Sequence, residues 1–295
     1  MKILLTGKTG QIGGELNNLV GNLGTLVTVD REHLDLSKPN SIEPAILEIQ
    51  PDIIINAAAY TAVDKAEEEA DLAMTVNSVA PGMLAKAAKK VGAGLIHYST
   101  DYVFDGRSKT PYKEEDPTNP LSVYGKSKLA GEKAVAEAEI PYLILRTAWV
   151  YSLHGKNFLK TIKRLAEEKD TLRIVDDQIG APTWARSIAE GTHKILQQCL
   201  NQNWPKTANP SSSGIFHLTC KGKTSWHGFA KKIINLSNTS KNTKLLAIPT
   251  SEFSTPAARP PYSLLSNEKM QNVFAVDMPH WKDALKDCMS SKREI

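Results

Sequence analysis

Lys2-Ile3-Leu4-Leu5-Thr6-Gly7-Lys8-Thr9-Gly10-Gln11-Ile12-Gly13 is the stretch whose reading decides the fold. Residues 2–6 are a short apolar strand, and glycines then recur at every third position, Gly7, Gly10 and Gly13. A helix-like segment through Leu16, Leu19 and Val20 follows, and a second apolar strand, Leu26 to Val29, ends at Asp30. Strand, glycine turn, helix and strand in this order begin a Rossmann-type doubly wound parallel α/β sheet. Glycines permit the tight turn and let the backbone approach a pyrophosphate, while the helix N-terminus offers unpaired N–H groups to its charge. An acid at the end of the second strand can accept hydrogen bonds from adenosine ribose hydroxyls. Arg31, next to Asp30, suits a 2′-phosphate, so NADH and NADPH both stay open.

The β/α alternation continues along the chain. Asp35-Leu36 precedes a helix over 41–50, and Asp52 to Asn56 is a buried strand opening into Ala57-Ala58-Ala59. Small residues at a strand's carboxyl end either leave room for a flat cofactor or serve helix packing. Asn77 reads as a polar residue of a helix that runs to Val91, interrupted by Pro81 and Gly82. Gly94 to Thr100 is the next strand, with His97 as an ordinary strand residue and Ser99-Thr100-Asp101 at its carboxyl end. A loop over 105–120 leads to Tyr124. Further on come a strand over 142–146, a helix over 157–168 and a strand over 172–175. A helix over 185–200, a loop over 201–214, a strand over 214–218 and helices over 225–236 and 280–289 complete the chain. The expected division is a dinucleotide-binding domain of residues 1–151 plus about 172–220. A smaller C-terminal α/β substrate-binding lobe would take about 152–171 plus 221–295.

Tyr124-Gly-Lys-Ser-Lys128 carries the chemistry. Residues four apart are neighbours on a helix, so one face presents a phenol and an ammonium. A phenol normally titrates near ~10, and a nearby cation lowers that value toward the working range. On a solvated helix the same spacing is ordinary. The dinucleotide-binding signature at the other end of the chain lifts it above that, and the hydroxyls of Ser99 and Thr100 end a strand facing the cofactor crevice, beside the place where the Tyr124 helix docks.

Composition bounds the rest. Apolar residues make up 41% and charged residues 23% of 295, the balance of a soluble globular protein. The net charge of +4 is spread without a basic stripe, which argues against a nucleic-acid partner. The opening apolar run is too short for a signal peptide, and no segment approaches the roughly 18 apolar residues of a membrane span. Three widely spaced cysteines (Cys199, Cys220, Cys288) suit reduced thiols and a cytoplasmic setting. No Cys/His spacing matches a metal site.

Several longer motifs resemble the extended short-chain dehydrogenase/reductase superfamily, and within it the dTDP-4-dehydrorhamnose reductases. They are Gly7-Lys-Thr-Gly-Gln11, Ala62-Val-Asp-Lys-Ala-Glu67, Tyr98-Ser-Thr-Asp-Tyr-Val-Phe104 and Val123-Tyr-Gly-Lys-Ser-Lys-Leu-Ala-Gly-Glu132. Arg146-Thr-Ala-Trp-Val-Tyr151, Asp177-Gln-Ile-Gly-Ala-Pro-Thr183 and Arg259-Pro260 to Lys269 extend the resemblance over nearly the whole chain. It implies NAD(P)H-dependent reduction of the 4-keto group of a dTDP-4-dehydro-6-deoxy-L-sugar, the last step of dTDP-L-rhamnose biosynthesis.

The same resemblance implies residue roles. Tyr124 would donate the proton, Lys128 would tune it and hold the nicotinamide ribose, and Thr100 would hydrogen-bond the substrate carbonyl. Gly7, Gly10, Gln11, Ile12 and Gly13 would line the pyrophosphate, Asp30 and Arg31 the adenosine ribose, and Asp35 and Leu36 the adenine. Ala58, Ala59, Tyr60, Thr61 and Tyr102 would border the cofactor. Val63, Asp101 and Trp149 would surround the sugar, with Arg259 reaching the nucleotide diphosphate. Some members form a Mg2+-bridged dimer through glutamates; here Glu15 is in place, but Arg186 stands where a partner would align, leaving monomer and homodimer open. Tyr60 and Asp105 differ from the residues the resemblance leads one to expect. Two other readings remain: an epimerase or reductase acting on another nucleotide deoxysugar, and a non-catalytic NAD(P)-binding regulatory subunit.

Overall fold

The computed structural model describes residues 1–29, 31–206, 213–237 and 243–291. Asp30, and residues 207–212 of the loop expected over 201–214, lie outside the described residues. Six parallel strands form the central sheet: β1 (Lys2–Thr6), β2 (Thr25–Thr28), β3 (Ile53–Asn56), β4 (Gly94–Thr100), β5 (Tyr142–Thr147) and, later in the chain, Gly214–His217. The first helices are α1 (Gln11–Leu19), α2 (Ile42–Ile49), α3 (Ala70–Met74), α4 (Ala80–Val91) and α5 (Val123–Ala136). Then come β6 (Val150–Tyr151), α6 (Phe158–Glu168), β7 (Thr171–Val175), β8 (Ile179–Gly180), β9 (Thr183–Trp184) and α7 (Ala185–Asn201). Gly214–His217 is β10, followed by β11 (Thr224–Ser225), α8 (Trp226–Leu236), β12 (Lys244–Ile248), α9 (Glu268–Phe274) and α10 (Trp281–Ser290).

The sheet order is β10-β5-β4-β3-β1-β2. The chain leaves β1 to one side for β2 and returns on the other for β3. That reversal opens a crevice at the carboxyl ends of β1 and β3, where an open α/β sheet binds its ligands. Strand side chains alternate between faces with a period of two. Ile3, Leu5, Ile53, Ile55 and Ile96 therefore join a core with α1, α7 and α9, while Leu4, Ile54 and Leu95 join a second with α2 and α4. A third core around Tyr151, Leu159, Phe229 and Trp281 belongs to α6, α8 and α10.

One boundary moves. The strand over 172–175, expected with the dinucleotide-binding part, pairs in parallel with β12 in a separate two-stranded sheet. Its Ile174 packs against the third core. The apolar alternation of β7 said strand but carried no information about its partner. Asn77 also differs from expectation: it sits in a π-helical turn, Thr75–Val79, and Pro81 and Gly82 lie in the first turn of α4 rather than breaking a helix.

Candidate active site

Gly7 has φ +73°, the left-handed region that favours glycine, and a Cβ there would come within 2.7 Å of the Ala58 amide nitrogen. A Cβ on Gly13 would lie 2.0 Å from the Gly7 carbonyl oxygen, so the first turn of α1 is pressed against the glycine loop. Gly10 precedes α1 and donates its N–H to Gly7 O at 2.9 Å, and no side chain caps the helix. A glycine-punctuated loop leading to an uncapped helix N-terminus fits a dinucleotide pyrophosphate. Gln11 uses its side chain elsewhere: Oε1 accepts from Ser152 Oγ at 3.0 Å and Asn157 Nδ2 at 2.8 Å, tying the loop to α6. Ile12 packs on the first core.

The other expected cofactor residues spread along the same edge. Arg31 is exposed, and Asp35 accepts from Ser37 N and Oγ, hydrogen bonds that hold its carboxyl below the usual range. Leu36 is buried in the second core. Ala58, Ala59 and Tyr60 are half-buried after β3, and Thr61 is exposed. The Asn77 amide clamps this segment: Oδ1 accepts from Tyr60 N at 2.9 Å, and Nδ2 donates to Tyr60 O and Ser127 Oγ, both at 3.0 Å. The Tyr60 hydroxyl donates to Glu69 Oε2 at 2.5 Å, which pushes its pKa up to about 12.

Thr100 ends β4, and Tyr124 and Lys128 come from α5. Ser122 starts that helix by accepting from Gly125 N at 3.1 Å. Two glycines dock it: a Cβ on Gly125 would lie 2.3 Å from Tyr102 O, and one on Gly131 would lie 2.0 Å from Asn77 O. This close approach sets the Tyr124 ring edge-on to Tyr102, 5.6 Å between centroids. Tyr124 hydrogen-bonds Thr100, and Thr100 Oγ1 donates to Asp101 Oδ1 at 3.0 Å.

Desolvation, the largest effect on Tyr124, pushes the phenol up to about 12, and the Thr100 hydrogen bond pulls it partly back. Lys128 is fully buried, and desolvation pushes its ammonium down to about 8 against the pull of Glu132. Its Nζ donates to Tyr98 O at 2.6 Å and lies 3.3 Å from His97 Nε2. The spacing argument made Lys128 the group that depresses Tyr124; burial instead governs both. Asp101 is buried, with Oδ2 unpartnered, and its carboxyl is pushed up to about 6.

Residues 257–263 close over the crevice. Arg259 Nη2 donates to Asp64 Oδ2 at 2.8 Å, Ala257 N donates to Asp64 Oδ1 at 3.3 Å, and Ser263 hydrogen-bonds Asp101. Val63 is half-buried next to that pair. Trp149 has φ +48°, a strained conformation for a bulky side chain, and its indole stacks on Trp226 at 3.6 Å, against Gly180. The Arg259–Asp64 pair and the Trp149–Trp226 stack were not legible in the sequence, since their members lie far apart along the chain.

Within this chain the Glu15 carboxylate already faces a cation. Arg186 stands between two carboxylates, Nη1 at 3.4 Å from Glu15 Oε2 and Nε at 2.8 Å from Glu190 Oε1. Burial raises the Glu15 carboxyl, and Arg186 lowers it in turn. Among the described residues no group of three or more His, Cys, Asp or Glu could hold a metal ion. Turnover measured after exhaustive treatment with a chelator is expected to equal that of untreated protein, and to gain nothing from added Mg2+. A several-fold loss restored by Mg2+ would refute this.

The whole chain is similar to known proteins. The family described as RmlD substrate binding domain matches residues 1–294. The dTDP-4-dehydrorhamnose reductase of Burkholderia thailandensis is 45% identical over 295 residues, covering 98% of each chain. That of Escherichia coli (strain K12) is 44% identical over 294 residues, covering 97% of this chain and 96% of its own. Among solved structures, the dTDP-4-dehydrorhamnose reductase of Clostridium acetobutylicum superposes with a TM-score of 0.90 at 39% identity, covering 98% of each chain. The Bacillus anthracis dTDP-4-dehydrorhamnose reductase in complex with NADP has a TM-score of 0.86 at 36% identity, covering 97% of this chain and 98% of its own.

Proposed function

The chain belongs to the RmlD substrate binding domain family, the dTDP-4-dehydrorhamnose reductases, and from that premise we propose how its residues carry the reaction. It is an NAD(P)H-dependent oxidoreductase that reduces the 4-keto group of dTDP-4-dehydro-β-L-rhamnose to dTDP-β-L-rhamnose, the last step of dTDP-L-rhamnose biosynthesis. The observation that carries the residue assignment is the convergence of the Thr100 and Tyr124 hydroxyls at the carboxyl end of β4, with Lys128 buried behind them.

In this reading the glycine loop, with Gly7, Gly10, Gln11, Ile12 and Gly13, holds the pyrophosphate. Asp30, Arg31, Asp35 and Leu36 take the adenosine end, and Ala58 to Thr61 with Tyr102 border the nicotinamide end. Lys128 holds the nicotinamide ribose. The nicotinamide supplies a hydride to the sugar's C4 carbon. Negative charge then grows on the carbonyl oxygen, and the Thr100 and Tyr124 hydroxyls turn from Asp101 and from each other to donate to it, usually the largest catalytic contribution. Tyr124 passes its proton to that oxygen. The phenol is loaded at neutral pH, because its desolvated hydroxyl titrates only at about 12. An alkoxide is a stronger base than a phenolate, so the transfer runs downhill.

Val63, Asp101 and Trp149 surround the sugar. Arg259 serves the diphosphate by exchanging Asp64 for the phosphates. Residues 1–151 plus about 172–220 form the dinucleotide-binding part and the remainder the sugar lobe in this reading, and the pairing of β7 with β12 supports counting β7 with the lobe. No helix among the described residues is long and apolar enough to cross a membrane. The same reading makes this a cytoplasmic enzyme, monomer or homodimer, acting on a small nucleotide sugar without a nucleic-acid or membrane partner. The dispersed charge and the buried, unpaired cysteines support it.

Loss of nicotinamide absorbance is expected when the protein meets the 4-keto dTDP-sugar with NADPH or NADH. No consumption of either cofactor, or protein that arrives with bound NAD and interconverts sugars without added reductant, would overturn the assignment.

A further inference from the structure

A row of polar side chains crosses the sheet beneath the crevice. Thr6, Asn56 and His97 are register partners on the adjacent strands β1, β3 and β4. Thr6 Oγ1 donates to Asn56 Oδ1 at 2.7 Å, Asn56 Nδ2 lies 3.1 Å from His97 Nδ1, and His97 Nε2 lies 3.3 Å from Lys128 Nζ. All four residues are buried. Their chain starts one residue before the glycine loop and ends on the lysine of α5.

The hydrogen bonds dictate where the imidazole proton sits. Ala58 N also donates to Asn56 Oδ1, at 3.3 Å, and a backbone N–H cannot reverse its role. Asn56 Oδ1 therefore faces Thr6 and Ala58, and its NH₂ faces His97. His97 Nδ1 must accept, which leaves the ring proton on Nε2. Burial holds this imidazole neutral, with its pKa well below the ordinary histidine value. The Nε2–H consequently points at Lys128 Nζ. An ammonium there would set N–H against N–H, whereas a neutral amine offers its lone pair.

We propose that His97, held as the Nε2–H tautomer by Asn56, is a positioning residue that sets the protonation of Lys128. The proposal rests on the reading of Lys128 as part of the reductase site. The other titratable groups around Nζ are accounted for. Glu132 lies one turn further along α5 but is locked to Arg146 of β5. Tyr124 lies one turn back and stays neutral, and the Tyr98 carbonyl accepts one Nζ hydrogen in either state. His97 is thus the neighbour whose orientation decides between amine and ammonium.

Two measurements test this. In ¹⁵N-histidine-labelled wild type, the resonances missing from His97→Gln identify His97, and their shifts are expected to report a neutral Nε2–H ring throughout the neutral range. In kcat/KM profiles, the limb that falls with rising pH reports loss of the Lys128 charge. His97→Gln presents an amide oxygen to Nζ, and Asn56→Asp turns the His97 proton onto Nδ1 so that Nε2 accepts. Both variants favour the ammonium and are expected to move that limb upward by about half a pH unit or more, roughly threefold in the lysine's proton affinity. An Nδ1–H ring in wild type, or unmoved limbs in variants that fold and turn over, would overturn the proposal. If wild type consumes no cofactor with the 4-keto sugar, the reductase reading fails instead, and the nitrogen shifts still decide the tautomer.

Discussion

Replacing Tyr124 by phenylalanine is expected to lower kcat/KM by roughly 10²–10⁴-fold, the range of a positioned proton transfer. The ring stays edge-on to Tyr102, and the fold loses no packing. What disappears is one hydroxyl that both steadies the forming alkoxide and delivers its proton. Thr100 and the hydride donor remain, so the residual rate should stay above that of Thr100→Val/Tyr124→Phe. The pH profile sharpens the test. The phenol, pushed up to about 12, keeps its proton through neutral and moderately alkaline pH, while the Lys128 ammonium, pushed down to about 8, is charged below that pH and loses its charge as pH rises through it. The basic limb of wild type should therefore fall at about 8 and persist in the residual activity of Tyr124→Phe. A Tyr124→Phe enzyme with undiminished turnover, or a wild-type limb appearing only in the phenol's own range, would contradict this account.

Removing the Glu132 carboxylate, as in Glu132→Ala, is expected to destabilise the folded chain by about 3–5 kcal/mol. Arg146 points Nε at Glu132 Oε1 (2.9 Å) and Nη2 at Oε2 (2.7 Å), a two-pronged pair, each side chain only 2% exposed. Nη1 donates to Glu114 O at 3.3 Å, and the guanidinium sits 5.1 Å from the centre of the Phe104 ring. Without Glu132 the guanidinium stays inside the protein with its charge unpaired, and that desolvated charge is the source of the loss. The pair joins α5 to β5 one turn beyond Lys128, so loosening it also frees the helix that carries Tyr124. Urea unfolding reads the cost. The double variant Glu132→Leu/Arg146→Met, which buries no charge, should recover a large part of it. A single-variant loss below about 1 kcal/mol would show that the charge finds water or another partner.

Reading the chain alone captured what depends on local pattern. The apolar run 2–6 followed by Gly7, Gly10 and Gly13 announced the first strand, the turn and α1, because the left-handed φ of Gly7 favours glycine and the close contacts at Gly7 and Gly13 leave no room for a Cβ. The spacing of Tyr124 and Lys128 put both on one helix, and the hydroxyls after Tyr98 marked a strand end. Local pattern also placed α6, α7, α8 and α10 within a residue or two of their observed ends. The family motifs then extended the reading to substrate and reaction.

Partnership was out of reach, because side chains that meet through folding leave no trace in spacing. β7 alternates like any strand, and only the folded chain pairs it with β12. His97 and Asn77 looked like polar residues of ordinary elements. Folding makes one the neighbour of Lys128 Nζ and the other the clamp on Tyr60. Desolvation is likewise a property of the assembled interior, so the ionisation of Tyr124 departs from what a cation four residues away suggests, and Lys128 and Asp101 shift with their burial. Local sequence thus determined which elements form and which chemistry they carry. Tertiary structure decided which groups share a dry interior, and so how each is charged, because removing water from an ionisable group costs more than most neighbours along the chain can return.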